Sequence, residues 1–336
     1  MSDNYDSDVI ISMSVLEHIR LRPGMYLGST GFWGHIQLLV GVVAECLLRD
    51  ARTILFEVRP EGGFVVSSDA KFAKRDLEPV RASGLAVAAA LAETCTLRFR
   101  IDGTTREWRF KKGERQQDDP APTALEAGVN ARIEFEADLN VLEPCAISGE
   151  NIHSYFRRLS FLQPQVKFRV MDEAGTVDYY SERGLPDLFH AISAPYQIHH
   201  QPAHVTGEED GLRLELIWAF HSWKNDVVVS FANKGRVVDG GTHEQGLNRA
   251  LDHFRTVHNT SNGIVALLAI EHSAMIYEGC IKKEIGNTKF VKLVSRMAIG
   301  LSQAWFEAHP EEAASMAKLS SFSFPSIWWH LRDLSE

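Results

Sequence analysis

Three groups in this 336-residue chain have residue types and spacing that could do chemistry: Lys282-Lys283-Glu284, Ser83-Gly84, and the histidines His199, His200 and His204. A lysine ammonium is a point-charge ligand for phosphate. Lys282 stands in a mixed-charge run, however, where a solvated or salt-bridged role fits equally well. Ser83-Gly84 precedes an Ala-rich stretch, and a helix starting there would attract anions through its unpaired N–H groups and dipole. The three histidines have no acidic or Cys ligand at helical spacing, so they read as surface residues and no metal site is predicted. Lys289, Lys292 and Arg296 recur at i, i+3 and i+7 and make one helix face basic. That face reads as solvated, with DNA contact as the other reading.

The chain that must position these groups has the bulk for about two domains. Its hydrophobic content of 45% and charged content of 24% are ordinary for a globular protein. A net charge of −9 gives no broad electrostatic footprint for nucleic acid. Cys46, Cys95, Cys145 and Cys280 lie far apart with no CxxC pair, which indicates neither zinc nor a disulfide framework and suits reduced thiols in the cytoplasm. No apolar run approaches the ~20 residues of a membrane span, and the acidic N-terminus does not read as a signal peptide.

Local patterns predict the elements. Residues 1–13 read as an extended arm, and Ser14 with Glu17 forms a capping box for a helix over 15–20. Arg22-Pro23-Gly24 breaks that helix, and a buried helix runs from Gly34 to near Asp50. Strands are predicted at 53–58, 64–67, 96–101, 106–110, 132–135 and 166–171, the last with a second short strand after it. Asp102-Gly103 signals a hairpin. Helices are predicted at 82–93, starting near Ser83-Gly84, and at 152–162, with a loop over 116–127. The stretch 195–210, rich in His, Pro and Glu, reads as a connector. Beyond it come strands at 212–220, 226–232 and 263–272 and helices at 242–258 and 289–309. Trp328 and Trp329 read as a terminal packing staple.

Four ordered blocks carry a resemblance. The first runs from Tyr5-Asp6-Ser7 through Arg22-Pro23-Gly24-Met25-Tyr26-Leu27-Gly28 to Ser29-Thr30-Gly31. The second is Ser83-Gly84 with Ala90-Leu91-Ala92-Glu93, and the third is Tyr155-Phe156-Arg157-Arg158-Leu159-Ser160-Phe161-Leu162-Gln163-Pro164. The fourth pairs Ser230-Phe231-Ala232-Asn233 and Asp239-Gly240-Gly241-Thr242-His243-Glu244-Gln245-Gly246 with Tyr277-Glu278-Gly279, Lys282 and Ile285-Gly286-Asn287. Together they resemble the N-terminal region of the B subunits of DNA gyrase and topoisomerase IV. The resemblance implies an α+β chain. It would consist of an arm over 1–13, a GHKL (Bergerat-type) α/β sandwich over 14–192 and a ribosomal-S5-like transducer domain over 193–336. It also implies no room for the family's DNA-cleaving TOPRIM domain.

The same resemblance locates a nucleotide site and empties it. The family's water-activating Glu falls on Gly41, its orienting His on Gln37 and its magnesium-holding Asn on Glu45. General-base assistance is worth roughly 10²–10⁴ in rate, and glycine supplies none. Glu45 lies one turn on and on the same face, and reads as solvated or salt-bridged. The adenine-recognising Asp-x-Gly-x-Gly box falls on Ser68-Asp69-Ala70-Lys71-Phe72, with Asp69 one position out of register and both glycines gone. Such a slip turns a strand side chain to the other face, so Asp69 is not expected to reach adenine. The later Gly-Thr contact becomes Asn130-Ala131, and only 73–82 remain where the family has its lid. The residual nucleotide-binding set is Glu45, Asp69, Ser83, Gly84 and Lys282.

Three functions follow from this reading. The first is a catalytically inactive gyrase B-like pseudoenzyme acting through dimerisation or protein contacts: a regulator, decoy or subunit of a larger complex, for example in defence. The second is an ATP-hydrolysing subunit of a type II topoisomerase-like complex; the third is a sensor of another nucleotide or small ligand. No metal or cofactor is expected on the first reading; ATP and Mg²⁺ are what a working residual site would take. Tyr5, Val9, Ile10 and Ile11 form the expected dimer arm. The partner is a second copy, a gyrase-type subunit or another protein complex.

Overall fold

The computed structural model describes residues 13–74, 83–116, 123–145, 147, 149–233, 235–237, 239–278 and 284–317. The expected arm residues Tyr5, Val9, Ile10 and Ile11, together with Lys282, Trp328 and Trp329, lie outside them. The chain divides into two compact units between Gly184 and Leu185, upstream of the 192/193 boundary read from sequence.

In the first unit, α1 (Val15–Leu21) opens on the predicted capping box: Ser14 Oγ accepts the Glu17 N–H, and the Glu17 carboxylate accepts the Ser14 N–H. Pro23 ends α1 and begins α2 (Pro23–Leu27) at a position where its missing N–H costs nothing. Gly28 closes α2 at a left-handed φ of 73°. The long α3 (Phe32–Leu47) buries Leu38, Leu39, Val42, Val43 and Cys46. Strands β1 (Thr53–Val58) and β2 (Phe64–Ser68) lead to α4 (Gly84–Leu91), and β3 (Ala92–Ile101) follows directly. Next come β4 (Thr104–Lys111), β5 (Glu114–Arg115), β6 (Ala131–Ala137), α5 (Gly149–Leu162), β7 (Lys167–Asp172) and β8 (Gly175–Tyr179). They form one sheet in the order β5-β4-β3-β6-β2-β1-β7-β8, antiparallel except where β1 meets β7.

One face of this sheet meets the helices, and Phe56, Phe64, Phe135, Phe156 and Phe168 fill the core there. The other face follows from strand alternation: Arg98 pairs with Glu107 and Glu134, and Arg132 with Glu134. Asp102 and Gly103 take left-handed φ angles of 51° and 78°, the pair of values a tight β3–β4 hairpin needs. One expectation is corrected. The helix read over 82–93 stops at Leu91, because Ala92 is already extended and pairs with Ala137 of β6. Sheet pairing overrides the helix preference of alanine at that point.

The second unit begins with α6 (Leu185–Ser193), which packs on the later strands and so belongs with them. Then come β9 (Ala203–Glu209), β10 (Leu212–His221), β11 (Val227–Ala232), β12 (Gly235–Arg236), α7 (Thr242–Val257) and β13 (Gly263–Glu271). A small hairpin of β14 (Tyr277–Glu278) and β15 (Glu284–Ile285) precedes α8 (Lys289–Ala308) and α9 (Pro310–Ala317). The main sheet runs β12-β11-β13-β10-β9. Strand β9 corrects the connector read over 195–210. Ala203 and Val205 face the core while His204 and Glu208 face out, a two-residue period hidden by polar and small residues. Helices α7 and α8 pack together, with Trp218 stacked on Phe254 at 4.2 Å and donating to Ser302 Oγ at 2.9 Å. No helix among the described residues is long and apolar enough to cross a membrane.

Candidate functional site

Gln37, Gly41 and Glu45 follow one another at four-residue spacing on α3, so the helix sets them on one face. The start of α4 faces that row. Gly41 and Gly84 pass backbone to backbone: a Cβ on Gly41 would stand 3.3 Å from Gly84 Cα, and a Cβ on Gly84 would collide with the Gly41 carbonyl. Glycine is required at position 84 for this approach, while a Cβ at position 41 would make only a tight contact. The position assigned to a general base therefore has no side chain, and the backbone of α4 occupies the space beside it.

Glu45 closes the same crossing with its charge. The Gly84 N–H donates to Glu45 Oε1 at 3.0 Å, and Arg49 Nη1 donates to Oε2 at 2.6 Å and to the Glu45 carbonyl at 2.8 Å. Both side chains are largely buried, with 12% of Glu45 and 17% of Arg49 exposed. Of the two roles read from sequence, the salt-bridged one is observed, together with a helix-capping contact that no local pattern signalled. Ser83 caps α4 by accepting the Ala86 N–H on its Oγ at 3.2 Å.

Asp69 does not face the interior of this region. Its Oδ1 accepts the N–H groups of Arg52 and Thr53 at 2.8 and 2.9 Å and pins the start of β1. Asn130 donates to the Asp69 carbonyl at 2.9 Å, so the replaced Gly-Thr position serves the same strap. Phe72, standing where the resemblance puts a glycine, is buried with its ring 4.3 Å from that of Phe99. The Arg49 guanidinium lies 4.4 Å over the Phe72 ring in a cation–π contact. Sequence reading missed Arg49 entirely, although its i, i+4 spacing to Glu45 was the available signal. Beneath, Cys46 is hydrogen-bonded to Ser68, and burial pushes its thiol up to about 11. The thiol is therefore an inert part of the core.

The structure thus brings Glu45, Gly84 and Ser83 together and engages Asp69 with the N–H groups of Arg52 and Thr53. Of residues 73–82, read as standing where the family has its lid, 75–82 lie outside the described residues.

In the second unit the polar residues of the fourth sequence block tie loops together. Asn233 Oδ1 accepts the His272 N–H at 2.9 Å, and Asn287 Oδ1 accepts the Ile276 N–H at 2.7 Å. The Ser230 hydroxyl donates to Glu244, which leaves His243 Nε2–H to donate to Ser230 Oγ at 2.9 Å. Burial pushes His243 down to about 4. The three histidines read as a surface group separate. His204 pairs with Glu215 and His199 contacts Ser222, but His200 is buried, which corrects its reading as a surface residue. No cluster of metal-ligating side chains occurs among the described residues. On α8, Lys289, Lys292 and Arg296 are exposed as their spacing predicts, and Arg296 pairs with Glu209.

The family model for DNA gyrase B matches residues 184–323. The type 2 topoisomerase B subunit of Aquifex aeolicus is 23% identical, aligning 90% of this chain with 45% of its own length. The DNA gyrase B subunit of Streptomyces coelicolor is 25% identical across 94% of this chain and 57% of its own length. The chain spans about half the length of the curated relatives it matches. Among solved structures, the 43K ATPase domain of Thermus thermophilus gyrase B, in complex with an aminocoumarin, superposes with a TM-score of 0.75. It is 18% identical, and the match covers 91% of this chain and 93% of that one. The B subunit of Myxococcus xanthus DNA gyrase superposes with a TM-score of 0.73 at 19% identity, over 90% and 99%. The fold is therefore the expected one, a GHKL-type sandwich followed by a transducer-type α+β unit; fold alone does not carry activity.

Proposed function

We infer that this chain, a relative of the N-terminal region of gyrase and topoisomerase IV B subunits, is a gyrase B-like module that acts through protein contacts and not by hydrolysing ATP. The observation that carries this reading is the crossing of α3 and α4. Gly41 offers no proton acceptor, and a Cβ there would already stand 3.3 Å from Gly84 Cα. Glu45, the nearest carboxylate on that face, has its two oxygens directed at Gly84 and Arg49. Phe72, which the resemblance puts at a glycine of the adenine box, packs against Phe99 and beneath the Arg49 guanidinium. With hydrolysis removed, the parts left to act are those that join subunits: the arm at Tyr5 and Val9–Ile11 and the transducer-type unit. The partner would be a second copy, the commonest assembly, or a gyrase-type subunit in a mixed dimer, in the cytoplasm.

A second reading, an ATP-binding subunit of a type II topoisomerase-like complex, is favoured by how much of the ATPase-region fold is retained. On it, Ser83, Gly84 and Lys282 would meet the phosphates and Glu45 would take up Mg²⁺. Calorimetric titration with a non-hydrolysable ATP analogue and Mg²⁺, with oligomeric mass followed in parallel, separates the two. The first reading expects no micromolar binding and a mass that nucleotide leaves unchanged. Micromolar binding coupled to dimerisation would overturn it in favour of the second.

A further inference from the structure

We propose that the outer face of the first sheet carries a binding site for a neutral imide ring, a pyrimidinedione of the uracil type, in a cavity between strands β3 and β6 and the loop over 123–129. The cavity has a volume of about 260 Å³; Arg98, Arg132 and Glu134 line it from the strands, and Leu125 and Val129 line it from the loop. Leu97, Phe99, Ile133 and Phe135 of the same strands belong to the core under the helices, so by alternation the three charged residues face the other way. The site is therefore separate from the α3–α4 crossing and does not depend on whether the chain uses ATP. At roughly 30 Å³ for each water-sized unit, the volume suits one six-membered ring with its exocyclic oxygens. A sugar carried by that ring would be left at the rim, where Thr123, Ala124 and Glu126 are exposed.

Arg98 and Arg132 stand directly opposite each other in the β3–β6 register, a placement that their like charges disfavour. Glu134 relieves it: its Oε1 accepts from Arg98 Nη1 at 2.8 Å and from Arg132 Nε at 2.7 Å. Arg98 Nε is taken by Glu107, and Arg132 Nη1 by Ser67 Oγ. Among the described residues this leaves Glu134 Oε2 and the Nη2 groups of both arginines without a hydrogen bond. Burial opposes ionisation of Glu134, but the hydrogen bonds and charges of Arg132 and Arg98 outweigh it and hold the carboxyl below its ordinary value. An ionised acceptor thus lies between two donors. Its complement is an edge that reads acceptor, donor, acceptor, the C=O, N–H and C=O of an imide. An anion would meet the Glu134 carboxylate and a cation the guanidiniums, so a neutral ring matches best. The roof is tied down: Arg100 Nη2 donates to the Leu125 and Val129 carbonyls, each at 3.3 Å. Leu125 and Val129 give the cavity apolar surface for the face of a ring.

The test titrates uridine and cytidine into wild type, Glu134→Gln and Val129→Phe, following the methyl signals of Leu125 and Val129 by NMR. Wild type is expected to bind uridine with a Kd on the order of a millimolar or below, moving both residues' signals. Cytidine turns a ring acceptor toward the Glu134 carboxylate and should bind at least roughly ten-fold more weakly. Glu134→Gln presents an amide that can accept or donate, so most of that preference should vanish. Val129→Phe fills the cavity and should abolish the uridine-dependent shift of Leu125. Equal affinity of wild type for the two nucleosides would overturn the proposal, and that comparison needs no variant to fold. Uridine that leaves the Leu125 and Val129 signals of wild type unmoved would overturn it too, as would undiminished binding by Val129→Phe.

Discussion

At the scale of single residues, buried polar side chains are satisfied by partners within the chain. Glu45 and Arg49 show this at the crossing of α3 and α4, and His200 shows it in the second unit. His200 Nδ1–H donates to the Gln201 carbonyl at 2.7 Å while Nε2 accepts the Phe220 N–H at 2.9 Å. Both ring nitrogens are thus used by the neutral form, and a second proton would face the Phe220 N–H. Burial pushes the group down to about 4 from its ordinary 6.5. Because the unfolded chain then binds the proton first, the stabilisation is full above about pH 6.5 and falls with pH to about 4, by roughly 3 kcal/mol in all. His243, buried and shifted the same way, adds to the trend. Urea unfolding between pH 7 and 4.5 should show that decline, and a flat profile would count against both assignments. Reading His200 as a surface residue failed because its sequence neighbourhood is polar; its burial comes from Trp218, Phe220 and Phe306, which pack around it from other elements.

At the scale of elements, the α3–α4 crossing is the decisive contact. It depends on a coincidence of two glycines that are distant in sequence, and no periodicity in either helix announces it. Gly84→Ala is expected to force the helices apart and to lower stability by about 1–3 kcal/mol, the usual cost of overpacking. Gly41→Ala should be milder, since its Cβ meets Gly84 Cα at 3.3 Å. Gly41→Glu, which puts a carboxylate where the resemblance expects a base, should lower the melting temperature and give no ATPase activity. Thermal melts of the three variants and a phosphate-release assay of the last check this order. Appreciable hydrolysis by Gly41→Glu would show that the pocket needs only its base. Local signals were sufficient elsewhere: the Ser14–Glu17 box, the Asp102-Gly103 turn and the apolar period of α3 each specify their element without help from the rest of the chain.

At the scale of the whole molecule, each unit has its own core, one built on the stacked phenylalanines of the first sheet and one around Trp218 and Phe254. Among the described residues, the first core is built from residues 19–179 and the second from residues 203–298. Scanning calorimetry of the full chain is expected to depart from a single two-state transition. Residues 185–336 expressed alone should unfold cooperatively in urea; a fragment without a cooperative transition would show that the second core needs the first. Helix α6 and strand β9 pack on strands that come later in the chain, so the local pattern of 185–210 does not show which elements they join.

The amino-acid sequence by itself determined the resemblance and the order of most elements. Those depend on residue types and short-range spacing, and a motif keeps its spacing whatever it packs against. By the resemblance, Gly41 stands where a base is expected and Asp69 one position out of register, before any coordinate is known. Only the tertiary structure decided what surrounds these positions. It directed Asp69 to the N–H groups of β1, set Phe72 against Phe99 beneath Arg49, and brought the Glu45 carboxylate to the start of α4. Each of these depends on groups separated by up to dozens of residues meeting within hydrogen-bond or van der Waals range. Burial, not local pattern, determines which donor an isolated charge must find.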